Sequence, residues 1–223
     1  MNRNIVRRLV QVLSTLLIQG VVLFAAAGTL RWRWAWIFLA TGSALLVINF
    51  YLLPRELIEE RGRKKKDAKR WDKALNAVNI VPTMLVYVCA GLDYRLGWTG
   101  SVHSGIHVAG LVMLFAGSLL FTWSMVSNRF FSTLVRLQID REHSVASGGP
   151  YRLVRHPGYV GYMAMSLATP LALGTLWALI FSGITCLLFI LRTALEDRTL
   201  QKELAGYAEY AAQVKYRLLP FIW

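Results

Sequence analysis

Long stretches of the chain carry no charged residue, and these stretches give the first expectations about structure. Five uncharged runs can be compared with the roughly 18 to 20 residues that span a bilayer as a helix. They extend over Leu9–Leu30, Trp34–Leu53, about Ala74–Leu92, about Ile106–Ser127 and Gly158–Leu191. Each of the first four runs predicts one membrane helix.

The fifth run is too long for one span and slightly short for two upright spans. Pro170 and Gly174 lie near its middle, where a helix breaks and reverses, so we interpret residues 158–191 as a tight helical hairpin. Apolar residues then recur at steps of four and three from Leu200 to Val214, which predicts an amphipathic C-terminal helix over 192–217. The expected fold is an all-α, polytopic membrane helix bundle with four spans, the hairpin and this C-terminal helix.

Charge adds an orientation to this picture. Only 17% of the residues are charged, yet 25 are Lys or Arg and 12 are Asp or Glu, which gives a net charge of +13. The composition excludes a disordered chain, and two cysteines are too few for a disulfide-stapled secreted domain. Basic residues in short loops stay on the cytoplasmic side, and 22 of the 25 fall inside when the N-terminus is cytoplasmic. We therefore expect a multi-pass integral membrane protein with a cytoplasmic N-terminus, and no nucleic-acid partner.

The chain is expected to form a single membrane domain over residues 1–223. Residues 1–127 hold the four spans and a basic cytoplasmic loop at 54–73, which we expect to contact anionic membrane lipids. Residues 128–223 hold the hairpin, the C-terminal helix and a polar loop at 138–161. A cleaved signal peptide is the alternative for the first span, but its apolar run is too long for a typical signal core.

The polar loop at 138–161 opens directly into the hairpin. Pro157 suits the first turn of a helix, because its missing N–H costs nothing there, and His156 is then the expected cap. Free N–H groups at such a terminus favour a carboxylate or phosphate, and Tyr159 lies one turn further on. The alternative is that Arg155 and His156 only anchor the helix among lipid head groups.

Two charged residues continue the apolar stripe of the C-terminal segment. Extending the stripe backward by fours reaches Glu196 and then Arg192. Ionisable groups that face the interior of a membrane protein are candidates for function. An i,i+4 ion pair is the alternative, although Arg before Glu is the weaker order for such a pair.

Weaker candidates lie elsewhere in the chain. Asn79 interrupts the inner end of the third span, where it forms either a local kink or part of a substrate pocket. His103 and His107 have the spacing of a metal pair but no third ligand nearby, so no metal is expected. Cys89 and Cys186 lie inside apolar runs and are interpreted as packing residues.

Several of these residues carry a resemblance to a known family. His143 to Gly161, which includes Gly149-Pro150-Tyr151 and Arg155-His156-Pro157-x-Tyr159-x-Gly161, is followed by Arg192-x-x-x-Glu196-Asp197. This pattern resembles the isoprenylcysteine carboxyl methyltransferase family, which is related to the phospholipid N-methyltransferases, over roughly the last 90 residues. Two departures occur: the family's paired glutamates are Glu196-Asp197 here, and its Phe-Gly pair is Ala205-Gly206.

The resemblance implies an integral membrane enzyme that uses S-adenosyl-L-methionine to methylate a lipophilic or lipidated acceptor. Arg192 and Glu196 would be catalytic, and Arg192 would face the acceptor. Asn79, which lies outside the resemblance, is a further candidate for contact with the acceptor because of its position in the third span. The cofactor would be bound by Gln138, His143, Val145, Tyr151, His156, Pro157, Tyr159, Glu196 and Asp197. Methyl transfer is an in-line displacement, so such a protein mainly binds, aligns and excludes water.

Four alternatives remain open at the level of sequence. The acceptor atom could be the nitrogen of a phospholipid or the sulfur of a thiol rather than a carboxylate oxygen. A membrane reductase of the sterol type is a more distant alternative, with Arg129, Arg136 and Arg141 near the 2′-phosphate of NADPH. A non-catalytic lipid binder is the last, and the oligomeric state is open in every case.

Overall fold

The computed structural model is all-helical over the residues it describes, 2–65 and 67–223, and Lys66 of the basic loop lies outside them. Five helices are long and apolar enough to cross a membrane: Arg3–Ala27, Arg33–Leu52, Arg70–Leu96, Ser104–Val126 and Leu179–Glu203. This part of the chain contains no strand, so the predicted polytopic helix bundle is confirmed. The helices are α1 (Arg3–Ala27), α2 (Arg33–Leu52), α3 (Arg55–Gly62), α4 (Arg70–Leu96), α5 (Ser104–Val126), α6 (Pro157–Leu173), α7 (Leu179–Glu203) and α8 (Tyr207–Gln213).

The predicted hairpin is formed by α6 and α7, and it reverses at Gly174 rather than at Pro170. Pro170 lies inside α6, whereas Gly174 has φ +74° and caps the helix in the left-handed region. A Cβ at Gly174 would also lie 2.2 Å from the His107 ring. The Nδ1 atom of His107 donates a hydrogen bond to Ala172 O, 2.9 Å away, and the ring stacks on Trp34. Gly174 therefore meets both a conformational and a steric requirement of this turn.

Helices α5 and α6 approach each other through small residues. A Cβ at Gly110 would lie 2.2 Å from the backbone nitrogen of Ala172, and one at Gly161 would lie 2.7 Å from Gly117 O. Small residues of this kind let membrane helices approach until their backbones touch. The close contact fixes the position of the N-terminus of α6, where the predicted polar loop ends.

The segments that carry most of the basic residues lie at one end of the bundle, which we call the basic end. There, Arg136 on the loop after α5 pairs with Glu60 of α3 at 2.9 Å. The backbone N–H groups of Arg155 and His156 donate to Tyr216 O and Arg217 O of the C-terminal segment, each at 2.9 Å. The opposite end carries stacked aromatic pairs, including Trp32 on Tyr94. The charge asymmetry of the sequence is thus an asymmetry between the two ends of the molecule.

The C-terminal helix predicted over 192–217 is wrong in its bounds. Residues 192–203 continue α7, and the chain then turns at Gly206, which has φ +79°, before the short helix α8. Beyond α8 the chain is not helical. The predicted stripe is nevertheless buried, because Leu204 and Tyr207 pack in one apolar cluster with Tyr151.

The helix contact at Gly110 predicts a large steric effect of a single methyl group. Gly110→Ala should lower stability by about 1–3 kcal/mol, because the added Cβ meets backbone atoms that cannot rotate away. Gly183→Ala is the matched control, since nothing lies within 4 Å of a Cβ there. Thermal unfolding in detergent measures both, and equal melting temperatures for the two variants would contradict this packing.

Candidate active site

A narrow cavity opens at the basic end between the loop after α5, the N-terminus of α6 and the last turns of α7. We call it the inner-loop cavity, and its enclosed volume is about 100 Å³. Six of the residues predicted for the cofactor line it together: His143, Val145, Tyr151, His156, Tyr159 and Glu196. Gln138, Pro157 and Asp197 do not line it. The fold therefore brings two distant sequence segments, 143–159 and 196–207, to one cavity.

Asp197 lies behind the cavity wall, where it is fully buried and accepts several hydrogen bonds. Arg155 donates to both of its carboxylate oxygens, at 2.8 and 2.9 Å. Arg217 and Tyr207 add bonds of 2.8 and 3.0 Å. Burial alone lowers the pKa of Arg155, but the hydrogen bond and charge of Asp197 outweigh it and raise this pKa. Asp197 thus links α7 to the loop that precedes α6 and to the C-terminal segment.

Glu196 precedes Asp197 on α7 and points into the cavity. The Tyr159 hydroxyl donates to its Oε2 atom. The Tyr159 ring lies parallel to the His156 ring, with 5.6 Å between the centroids. Across the cavity, the pKa of Tyr151 is raised by burial, which keeps its phenol neutral. The cavity therefore combines one carboxylate with several aromatic faces.

Gln138 acts on the cavity from behind, through the loop backbone. Its side chain is fully buried and donates to Phe130 O at 2.6 Å, and it accepts from Arg141 at 2.7 Å. Its backbone N–H donates to His143 Nδ1 at 3.3 Å. Burial, together with the nearby charges of Arg136 and Arg141, lowers the pKa of His143 to about 4. His143 is therefore neutral at pH 7, with Nδ1 as the acceptor and Nε2 as the protonated nitrogen.

Pro157 occupies the first position of α6 and His156 the cap position, as predicted. Gly158 follows, and a Cβ there would lie 2.7 Å from the Phe131 ring. The start of α6 is thus packed tightly under the loop that follows α5. This packing places the side chains of His156 and Tyr159 on the cavity side of the helix.

Arg192 lines neither this cavity nor the larger one described below. Its guanidinium donates to both carboxylate oxygens of Asp72 on α4, at 2.7 and 3.1 Å. The same guanidinium lies 5.1 Å from the centroid of the Tyr159 ring, so one side chain separates it from the inner-loop cavity. Asp72 also accepts the backbone N–H of Val135 at 2.7 Å. Asp72 was not among the predicted site residues. The feature of the sequence that could have indicated it is its position as an acidic residue within a strongly basic segment.

A second, larger cavity lies between α1, α2, α4, α5 and α6, and we call it the membrane cavity. Its volume is about 900 Å³. Asn79 lies beside it, with Nδ2 3.4 Å from both the Thr83 and Tyr162 hydroxyl oxygens that line it. Leu134 lines both cavities, so the segment 131–135 forms the wall between them. A polar cavity and a mainly apolar one therefore share a thin partition at the basic end.

These features define a polytopic helical membrane protein with a polar pocket adjoining an intramembrane cavity. Residues 106–206 match the phospholipid methyltransferase family. The chain is 31% identical over 120 residues to the probable protein-S-isoprenylcysteine O-methyltransferase of Oryza sativa subsp. indica, across 52% of this chain and 62% of that protein. It is 29% identical over 108 residues to protein-S-isoprenylcysteine O-methyltransferase A of Arabidopsis thaliana, across 47% and 55%.

These similarities confirm the resemblance to the isoprenylcysteine carboxyl methyltransferases. The chain covers less than two thirds of the length of these relatives. The region matched to the family contains α5, the inner loops, α6 and α7, and hence nearly the whole inner-loop cavity. Helices α1, α2 and α4, which form much of the membrane cavity, lie outside it.

The buried Arg192–Asp72 pair predicts a large cost for removing its charge. Asp72→Asn should lower stability by about 3–5 kcal/mol, because it leaves a buried guanidinium facing an amide group. Lys69→Gln is the control: it breaks a half-exposed pair with Glu203 and should cost no more than about 1 kcal/mol. Thermal unfolding in detergent compares them, and a cost of Asp72→Asn no larger than that of Lys69→Gln would be inconsistent with a buried pair.

Proposed function

We propose that this chain is an integral membrane methyltransferase that uses S-adenosyl-L-methionine to methylate a lipophilic acceptor. The observation that carries the proposal is the meeting of Glu196, Tyr159, His156, Tyr151 and His143 in one cavity beside the membrane cavity. The printed names of the relatives, protein-S-isoprenylcysteine O-methyltransferases, support the same reaction class. We further propose that the basic end, and with it the reaction, faces the cytoplasm, because positive loops are retained there.

The donor set of the inner-loop cavity fits S-adenosyl-L-methionine chemically. When bound, this cofactor supplies an electrophilic methyl group on a cationic sulfonium. Glu196 would accept hydrogen bonds from its ammonium or hydroxyl groups, and the faces of Tyr151 and Tyr159 would lie against a ring or a cation.

The protein residues mainly align the reactants and exclude water. The poorly solvated pocket would favour the loss of charge that accompanies methyl transfer from a cationic donor to an anionic acceptor. Burial keeps Tyr151 neutral, and the low pKa of His143 keeps that ring uncharged as well. Glu196 then supplies negative charge on the cofactor side. A carboxylate or thiolate acceptor requires no general acid.

The membrane cavity is the proposed acceptor site. Its walls include Phe38, Leu45, Leu114 and Met165, which suit a hydrocarbon chain. Asn79 would contact the acceptor side through its hydrogen bonds to the rim of this cavity. Arg192 lies behind Tyr159 and the partition, where it holds Thr133 O at 3.1 Å. We propose that Arg192 positions this junction.

One specific observation keeps a second acceptor chemistry in view. The matched family is that of phospholipid methyltransferases, which favours an amine nitrogen as the next candidate after a carboxylate oxygen. The reductase alternative receives less support. Arg136, one of the three arginines considered for a 2′-phosphate, is already paired with Glu60 and Asp67.

Product analysis tests the proposed function directly. Purified protein is incubated with a methyl-labelled donor and whole membrane lipids, and labelled lipid is then extracted. The proposal expects a labelled lipid, and its stability to mild base separates an ester from a methylated amine or thioether. No labelled lipid, with the cofactor demonstrably bound, would leave a non-catalytic binder as the correct description.

The role of Glu196 predicts a loss of cofactor binding. Glu196→Ala should abolish measurable binding of S-adenosylhomocysteine, because it removes the charged acceptor of the cavity. Glu203→Ala on the same helix is the matched control, since Glu203 pairs with Lys69 at the surface. Calorimetric titration in detergent measures both, and an unchanged affinity of Glu196→Ala would remove Glu196 from the site.

The role of Arg192 predicts a different pattern. Arg192→Lys should leave the affinity for S-adenosylhomocysteine unchanged and lower turnover on the order of 10²-fold, because Lys cannot bind Asp72 bidentately and the junction shifts. Turnover and binding are measured on the same preparation. Loss of both together would place Arg192 in the cofactor site instead.

A further inference from the structure

The membrane cavity has an unbalanced distribution of charge along its lining. Six cationic side chains line it where it reaches the basic end, and no Asp or Glu lines it among the described residues. They come from the first turns of α1, the end of α3 and the loop that follows: Arg7, Arg8, Arg61, Arg63, Lys64 and Lys65. These residues converge on the mouth of one cavity, whereas the positive-inside rule requires only that they lie on one side of the membrane.

Some members of this cluster already have partners in the protein, and others have no ion pair. Arg63 pairs with Asp140 at 2.8 Å, and Lys65 donates to Glu60 O and to the Thr133 hydroxyl. Arg8 and Arg61 have no ion pair with any acidic side chain of the described residues. The Arg8 and Arg61 guanidinium groups therefore leave an uncompensated positive charge at the mouth.

Arg61 is the most informative member of the cluster. Its Nη1 atom is buried and has no hydrogen-bond partner among the residues that the structure describes. Its guanidinium lies 5.7 and 5.5 Å from the ring centroids of Phe121 and Phe131, and these contacts do not satisfy its N–H groups. A buried donor without an acceptor costs free energy, so its presence indicates a missing acceptor.

The pKa values of this cluster agree with a missing anion. Burial, followed by the charge of Arg8, lowers the pKa of Arg61 to about 9. Burial also lowers the pKa of Lys65 to about 8, and the charges of Arg61, Arg136 and Arg8 add to this effect against the opposing charge of Glu60. Like charges are thus held together in a poorly solvated place, and a bound anion would relieve their repulsion.

The rest of the cavity is suited to hydrocarbon. From the basic mouth it extends between the membrane helices, with Val86, Leu114 and Met165 among its walls. Its volume of about 900 Å³ is in the upper part of the range of ligand pockets. A small inorganic anion would leave most of this volume unfilled, and a neutral lipid would leave Arg61 unpaired.

We propose that the membrane cavity binds an amphiphile whose anionic head group, a phosphate or a carboxylate, lies on Arg8, Arg61 and Lys65, with its chain between the helices. Phe131 links the two sites, since it contacts Arg61 on one side and lines the inner-loop cavity on the other. The head group would therefore lie one side chain away from the cofactor site.

Native mass spectrometry of the full chain in a neutral detergent tests the binding step. Hexadecyl phosphate and palmitate should bind about tenfold or more tightly than hexadecanol, because hydrogen bonds to charged groups contribute on that scale. Arg61→Gln should reduce this preference about tenfold. Arg55→Gln is the control on the same helix, since Arg55 is exposed and lines neither the inner-loop cavity nor the membrane cavity, and it should stay within about twofold.

Two kinds of result would contradict an anionic head-group site. Equal binding of hexadecanol and hexadecyl phosphate, or no effect of Arg61→Gln, would overturn the anionic head-group site. Displacement of hexadecyl phosphate by inorganic phosphate at similar concentration would show a site for a free anion instead. Arg8→Gln is a second variant that should give the same loss if Arg61→Gln does not fold.

Cofactor binding separates this inference from the proposed function. Arg61→Gln should keep the wild-type affinity for S-adenosylhomocysteine, which also shows that the variant is folded. Absence of such binding in the wild type would overturn the proposed function while leaving the amphiphile site intact. If hexadecyl phosphate binds tightly but the methyl label appears only in lipids that carry no net charge before methylation, the membrane cavity is not the acceptor site.

Discussion

The inner-loop cavity depends on the hydrogen bonds to the Asp197 carboxylate, because these bonds hold the segments around the cavity together. This group lies on α7, and the side chains that donate to it come from the loop before α6 and from the segments around and beyond α8. A buried carboxylate is strongly unfavourable unless it is paired and fully hydrogen-bonded. The segments that donate to Asp197 are therefore expected to pack together cooperatively. Irregular backbone at the basic end thereby acquires one fixed arrangement against a rigid helix.

Asp72 has the same effect on the wall between the two cavities. It binds Arg192 of α7 and the N–H of Val135, and so it connects α4, α7 and the loop after α5. Buried ion pairs often contribute little net stability, because desolvation offsets their attraction. Their geometric demands are strict, however, and here they fix the partition that lies between the proposed cofactor and acceptor.

The charged side chains that have no ion-pair partner among the described residues differ between the two cavities. Glu196 lines the inner-loop cavity, which suits a cationic methyl donor, while Arg136 and Arg155, which also line it, are paired with Glu60 and Asp197. Arg8 and Arg61 line the membrane cavity, which suits an anionic head group. A thin partition that contains Phe131 and Leu134 separates the two kinds of charge.

The sequence alone determined the helix bundle, because apolar length and helical period act locally along the chain. It indicated His156 and Pro157 at the start of α6 and the buried stripe through Leu204 and Tyr207. It did not reveal α3, whose eight residues are mostly polar, or the break at Gly206. Tertiary structure alone decided that Arg192 pairs with Asp72, 120 positions away, and that Arg155 pairs with Asp197, 42 positions away. Many pairings are open to 25 basic and 12 acidic residues, and only the packed helices determine which charges are buried together.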